Sequence, residues 1–248
     1  MSVPDEYNVI GGLLGLGPDI LLEILSELRL ISNAVQFIGI CKKIYILKDH
    51  DRFYKIMGTL NYPIEIYSSC PSDIEFIDID GVQKKITKKQ EKFNIVSINQ
   101  NLEEGIWSFE TIFISSKCQG NGGVGIVRDS YNIPVDANPT CNPHNQHMAM
   151  YIGKDYGEGR IYYKGIKTHG NIAFTNNQIV KLEFDSEKGS LTYFVDGVQQ
   201  PIYISGIKEK VRFFVVMYFT YSFQTFRSLK RLAAPTSGHV ENEKAIQW

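Results

Sequence analysis

The sequence predicts a mainly β protein: an antiparallel β-sandwich of roughly ten or more strands, preceded by a short three-helix head. Three observations carry this. Apolar residues recur with helical spacing before about residue 60 and in short, often alternating runs after it. Gly-containing pairs such as Asp80-Gly81, Lys188-Gly189, Asp196-Gly197 and Ser205-Gly206 punctuate the second part, where positive φ favours tight turns. Aromatic residues make up 12% of the chain (14 Tyr, 14 Phe, 2 Trp), and flat rings suit a pleated, half-buried surface.

In the head, Leu21, Ile24, Leu25 and Leu28 repeat at i, i+3, i+4, i+7, the stripe of an amphipathic helix. Gly17, Pro18 and Asp19 predict its start, with proline at the first helical position and a carboxylate at the positive end of the dipole. A second helix is expected from Ser32-Asn33, with Phe37, Ile38, Cys41, Ile44 and Tyr45 on one side. A third begins near Asp49 or Asp51 and carries Phe53, Ile56, Met57 and Leu60. The strand pattern runs from Tyr62, through Ile64 and Ile66, to Ile202 and Ile204 and beyond, with no amphipathic helix expected before Tyr221. Residues from Ala233 to Trp248 lose periodicity and are expected to form a disordered tail.

Composition narrows the function. Charged residues are 21% and hydrophobic residues 43%, ordinary values for a globular protein. Twenty-six basic against 27 acidic residues give a net charge of -1, which argues against nucleic acid or an anionic membrane as partner. Cys41, Cys70, Cys118 and Cys141 are too few and too scattered for a disulfide scaffold. The start, Met1 to Glu6, is acidic where a secretory signal is basic, and the apolar stretches Val9 to Leu16 and Phe213 to Phe219 are too short to span a bilayer. A cytoplasmic or nuclear protein is expected.

The segment from Leu16 to Leu28, followed by Cys41 to Tyr45, resembles an F-box, whose usual core reads Leu-Pro-x-Asp/Glu-Ile/Leu-Leu-x-x-Ile-Leu. The likeness covers residues 10–60, with the proline, Pro18, displaced by one position. It implies docking to the Skp-type adaptor, and through it the cullin scaffold, of a ubiquitin ligase. Residues Leu16, Pro18, Ile20, Leu21, Ile24 and Leu25 would face that partner. Leu16, Ile20, Leu21, Leu22, Ile24, Leu25 and Leu28 wrap an arc wide enough for two contacts, one inward and one to a partner helix.

Residues 62–230 resemble a SPRY domain. The likeness lies in Gly105 to Glu110, in Gly123 to Val127, and in Ile179 to Asp185 with the following Lys188 to Gly197. Val211 to Tyr218 adds the strand next to last. It implies a concanavalin-like sandwich that binds protein segments with loops at one edge. The loop from Tyr131 to His147 is long for a compact domain, and such loops are often functional. Tyr131, Asn132, His144, His147, Tyr156, Arg160 and Tyr221 are the candidate target-binding residues, being of the amphipathic and planar types that anchor interfaces.

Other motifs have plainer readings. Gly120, Gly122 and Gly125 fit G-x-G-x-x-G, but a phosphate loop needs a helix next, and the following residues are β-prone. Glu183, Asp185 and Glu187 have the spacing of a β-glucanase strand, yet Glu187-Lys188-Gly189 reads as a turn and the carboxylates as a solvated outer face. Cys141, His144 and His147 lack the spacing of common zinc sites, so no metal or other cofactor is expected. Lys84, Lys85, Lys88, Lys89 and Lys92 suggest a solvated, charged sheet edge.

The resulting expectation is a non-catalytic substrate-recognition adaptor, binding a Skp-type adaptor with its head and a target protein with its loops. The alternatives are a stand-alone SPRY interaction module with a helical cap and, third, a sandwich-fold glycoside hydrolase acting on sugars.

Overall fold

A computed structural model describes residues 11–248. The acidic start, Met1 to Glu6, and the opening of the apolar stretch at Val9 lie outside the described residues. The chain divides into two units, residues 1–63 and 64–248.

The first unit is helical. Helix α1 (Pro18–Ser26) starts as its sequence predicts, with Gly17 in an extended cap conformation, Pro18 in the first turn and Asp19 beside it. Helix α2 (Ile31–Gly39) is shorter than expected. The chain extends at Cys41, and Lys42–Tyr45 forms a separate turn, α3, so the expected second helix is broken in two. Helix α4 (Asp51–Met57) is capped by His50, whose Nδ1 accepts from the Arg52 backbone N–H at 3.1 Å. Leu21, Leu22, Leu25, Ala34, Ile38, Ile44, Leu47, Phe53, Ile56 and Leu60 close one apolar core. Asn61 returns to the start of α2, its carbonyl accepting from Ile31 at 2.8 Å.

The second unit is a sandwich of two sheets. Its strands begin with β1 (Ile66–Ser68), β2 (Ile74–Asp78), β3 (Lys84–Lys88), β4 (Asn94–Ile98) and β5 (Ile106–Ser115). Then come β6 (Gly123–Arg128), β7 (Met148–Ile152), a single helical turn α5 (Lys154–Gly157), β8 (Ile161–Tyr163) and β9 (Ile166–Thr168). The last are β10 (Ile179–Asp185), β11 (Ser190–Val195), β12 (Val198–Gln199), β13 (Ile202–Ser205), β14 (Val211–Met217), β15 (Ser222–Leu232) and β16 (Lys244–Gln247). One sheet runs β1-β4-β14-β6-β7-β8-β9. The other runs β16-β13-β11-β10-β5-β15-β3-β2, with β12 beside β11. All pairings are antiparallel except β13 with β16. The mainly β sandwich behind a helical head is therefore the observed class.

Aromatic side chains join the sheets across the core. Phe109 of β5 stacks on Phe213 of β14 at 5.5 Å, and Tyr151 of β7 meets Tyr193 of β11 at 5.1 Å. Full burial of each such ring stabilises by roughly 1.5–3 kcal/mol. Asp196 and Gly197 both have positive φ (48° and 81°), as a two-residue type I′ hairpin between β11 and β12 requires. The Ser205-Gly206 pair makes no hairpin, because β13 and β14 belong to different sheets.

Three further expectations are corrected. Residues 233–248 are not a disordered tail: Thr236 and Ser237 bind Glu183, and β16 extends the sheet beside β13. Glu183 is not on a solvated face, since this segment covers it and leaves it 1% exposed. The lysine run is not a solvated edge either. Strand β3 lies inside its sheet between β15 and β2, and Lys84 and Lys88 alternate inward with fully buried Ile86. Period-two alternation put two lysines on the covered face.

Candidate functional site

At one end of the seven-stranded sheet, β4 and β6 begin and β7 and β14 finish. The residues just beyond these strand ends converge on a cleft of about 350 Å³ lined by Phe93, Asn121, Asp155, Tyr156, Tyr218 and Phe219. Antiparallel register dictates this meeting: Met217 pairs with Asn94, and Gly123 with Ile152, so their neighbours emerge together. Phe93 and Tyr218 lie 4.9 Å apart at 60°, Phe93 and Tyr156 6.2 Å apart at 57°, and Tyr218 meets Phe219 edge-on at 5.0 Å. The rings form a corner, not a flat stack.

The glycines beside the cleft serve backbone approach. A Cβ on Gly125 would stand 1.9 Å from the Ala149 carbonyl oxygen, and one on Gly120 would overlap the Phe174 carbonyl. Strand β6 follows directly, with no helix whose N-terminus could receive a phosphate, so the G-x-G-x-x-G match is a turn and a tightly packed strand.

Of the expected target-binding residues, Tyr156 lies in this cleft. A second opening of about 250 Å³ shares Phe93 and Tyr156 and reaches Thr140 in the long loop, with Tyr162, Gly165 and Lys167. Tyr131, His144 and His147 form a separate cluster. The His147 ring stacks on Tyr131 at 4.1 Å, and the Tyr131 hydroxyl shares a 2.7 Å hydrogen bond with His144 Nδ1. Burial, with Arg128 nearby, pushes the His147 imidazole below its usual range, and burial pushes the Tyr131 phenol up. The Tyr131 carbonyl accepts from Arg212 at 3.1 Å, which ties the loop to β14. Asn132 is exposed. Arg160 pairs with Glu158 at 2.5 Å and does not line the cleft. Tyr221 stands 76% exposed with φ 59° at the turn before β15. Among the described residues, no group of three His, Cys, Asp or Glu is placed to hold a metal ion.

The sequence reading missed Phe93, Asn121, Asp155, Tyr218 and Phe219. The run Tyr218 to Tyr221 did carry a signal, being an aromatic cluster at the end of a strand.

In the helical unit, Leu21 and Leu25 do not face outward as expected: both pack inside the head's own core (1% and 0% exposed), while Leu16 and Ile24 are partly covered. Pro18 is exposed, and Ile20 is 53% exposed. Val35, Ile40, Tyr45, Ile46 and Tyr54 are likewise exposed by half or more.

The carboxylates weighed for sugar chemistry are otherwise engaged. Both Glu183 oxygens accept from Thr236 N–H at 3.1 Å, and one accepts from Ser237 N–H at 2.8 Å. Burial pushes this carboxyl up, but the bonds from Ser237 and Thr236 outweigh it and hold the group below the usual range. Asp185 Oδ1 caps the turn, accepting from Glu187 and Lys188 at 3.0 Å, and Glu187 lies beyond the end of β10.

No model of a known protein family matches the chain, and no curated protein matches it. Among solved structures it is similar to the SPRY domain of human HERC1, at 14% identity over 66% of this chain and 98% of that one, with a TM-score of 0.49. It is also similar to the TRIM65 PSpry domain, at 10% identity over 62% of this chain and 83% of that one, with a TM-score of 0.48. A human SPRY domain aligns at 13% identity over 65% of this chain and 99% of that one, with a TM-score of 0.45. Among the described residues, no helix is long and apolar enough to cross a membrane.

Proposed function

We propose that this chain is a non-catalytic substrate-recognition adaptor of an SCF-type cullin–RING ubiquitin ligase, working in the cytoplasm or nucleus. Its helical unit docks a Skp-type adaptor, and its sandwich holds a target protein segment at the aromatic cleft and the neighbouring loop. The protein then acts by proximity, raising the local concentration of target lysines near the ligase's catalytic partner.

The observation that carries the docking half is the division of apolar side chains in the head. That unit closes a core of its own, yet Ile20, Val35, Ile40, Tyr45, Ile46 and Tyr54 remain 51–68% exposed. Apolar side chains left exposed by a closed core supply surface that a partner helix would bury. The docking face thus draws on Pro18 and Ile20, edged by Leu16 and Ile24, with Leu21 and Leu25 supporting it from inside. The cleft supports the target half: it is concave, mostly aromatic, and lined by residues just beyond paired strand ends.

Co-expression of the full chain with a Skp-type adaptor tests the proposal. A complex should co-elute on gel filtration, and Ile20→Asp should abolish it without moving the melting temperature. Separate elution of the two wild-type proteins would remove the ligase role and favour the stand-alone interaction module.

A further inference from the structure

The chemistry of the cleft singles out one kind of occupant. Asn121 is 8% exposed, and its Oδ1 has no hydrogen-bond partner. Tyr156 lines the same cleft, and its hydroxyl is buried without a partner on the side of Tyr162 and Cys141. Asp155 is the only charged residue among the six that line the cleft. Its Oδ2 is held by the Gln119 backbone N–H at 2.6 Å, which positions the carboxylate. Lys117 pairs with Glu91 at 2.9 Å and lies 5.7 Å from the Phe219 ring centroid, but it is not among the residues that line the cleft. A carboxylate and an unpaired amide oxygen beside aromatic walls favour a donor as occupant.

We propose that this cleft takes an arginine side chain of the target segment, its guanidinium lying against the rings, paired with Asp155 and donating to Asn121 Oδ1. The inference rests on the target-binding reading and names the residue that such a target presents. An acidic occupant would face the like charge of Asp155, with no cation among the six lining residues to pair it. An aliphatic one would leave Asn121 Oδ1 unpaired and Asp155 without a countercharge. Lysine offers a compact, strongly hydrated charge, whereas guanidinium is planar, carries five donors and stacks on aromatic faces.

The test is selection of random dodecapeptides, displayed on phage, against the full chain, followed by titration of the synthetic binders. The expected binders share one arginine. Replacing it by citrulline, which keeps the shape and removes the charge, weakens binding at least about tenfold. The same peptides lose about tenfold on Asp155→Asn and on Phe219→Ala, with both variants melting as the wild type does. Binders that share no arginine, or share lysine instead, overturn the arginine assignment and leave target binding by the sandwich standing. Arginine peptides indifferent to both substitutions overturn the cleft as the seat of recognition. A selection that yields no binder overturns this inference and the target-binding reading together.

Discussion

Replacing Glu183 by glutamine tests how the C-terminal segment is held. The Glu183 carboxylate accepts from the backbone N–H groups of Thr236 and Ser237 and from the Thr236 hydroxyl, with Lys181 Nζ 3.8 Å away. Hydrogen bonds to a charged group contribute roughly 1.5–3 kcal/mol each. Glutamine keeps one acceptor oxygen and turns an NH₂ donor toward groups that are themselves donors, so the expected cost is about 2–4 kcal/mol. For a domain of this size that corresponds to a fall of about 4–16 °C in Tm. Detachment of residues 233–238 limits the loss, because glutamine is solvated once the cover lifts. Thermal unfolding by circular dichroism should therefore be paired with hydrogen exchange at the Thr236 and Ser237 amides. The carboxyl is held below its usual range when folded. Its contribution is thus complete above the ordinary glutamate value of about 4.3 and is lost as pH falls through the lower folded value. Glu183→Gln should abolish that acid sensitivity. Unchanged Tm, unchanged protection and an unchanged acid transition would refute the reasoning.

Other substitutions separate packing from binding. Gly125→Ala places a Cβ 1.9 Å from the Ala149 carbonyl oxygen, so β6 and β7 must part; a loss of more than about 3 kcal/mol is expected, read as insoluble expression or a large drop in denaturant midpoint. Leu25→Ala opens a cavity in the helical core and should cost about 2–5 kcal/mol in that unit, followed by helical ellipticity. Ile20→Asp, at an exposed position, should change stability by no more than about 0.5 kcal/mol while abolishing adaptor capture. Arg212→Ala removes the 3.1 Å pair with Asp129 and the bond to the Tyr131 carbonyl, and limited proteolysis should then cut between residues 131 and 147 faster than in the wild type.

Local sequence and tertiary structure decided different things. The start of α1 was legible because Gly17, Pro18 and Asp19 act within one turn, and the β11–β12 hairpin because Asp196 and Gly197 need only their own φ angles. The strands announced themselves by alternation, and with them the mainly β class. Alternation cannot say which face is covered, and there the reading stopped. Glu183 looks like an outward carboxylate until residues 236 and 237 fold over it. Lys88 looks like a solvated charge until β2 and β15 flank its strand and place it 2% exposed. The cleft lay further out of reach: Phe93, Asn121, Asp155 and Phe219 are scattered over 127 positions (93 to 219) and share nothing in sequence. They meet because antiparallel pairing brings the start of one strand beside the finish of another, a long-range consequence that no local pattern encodes.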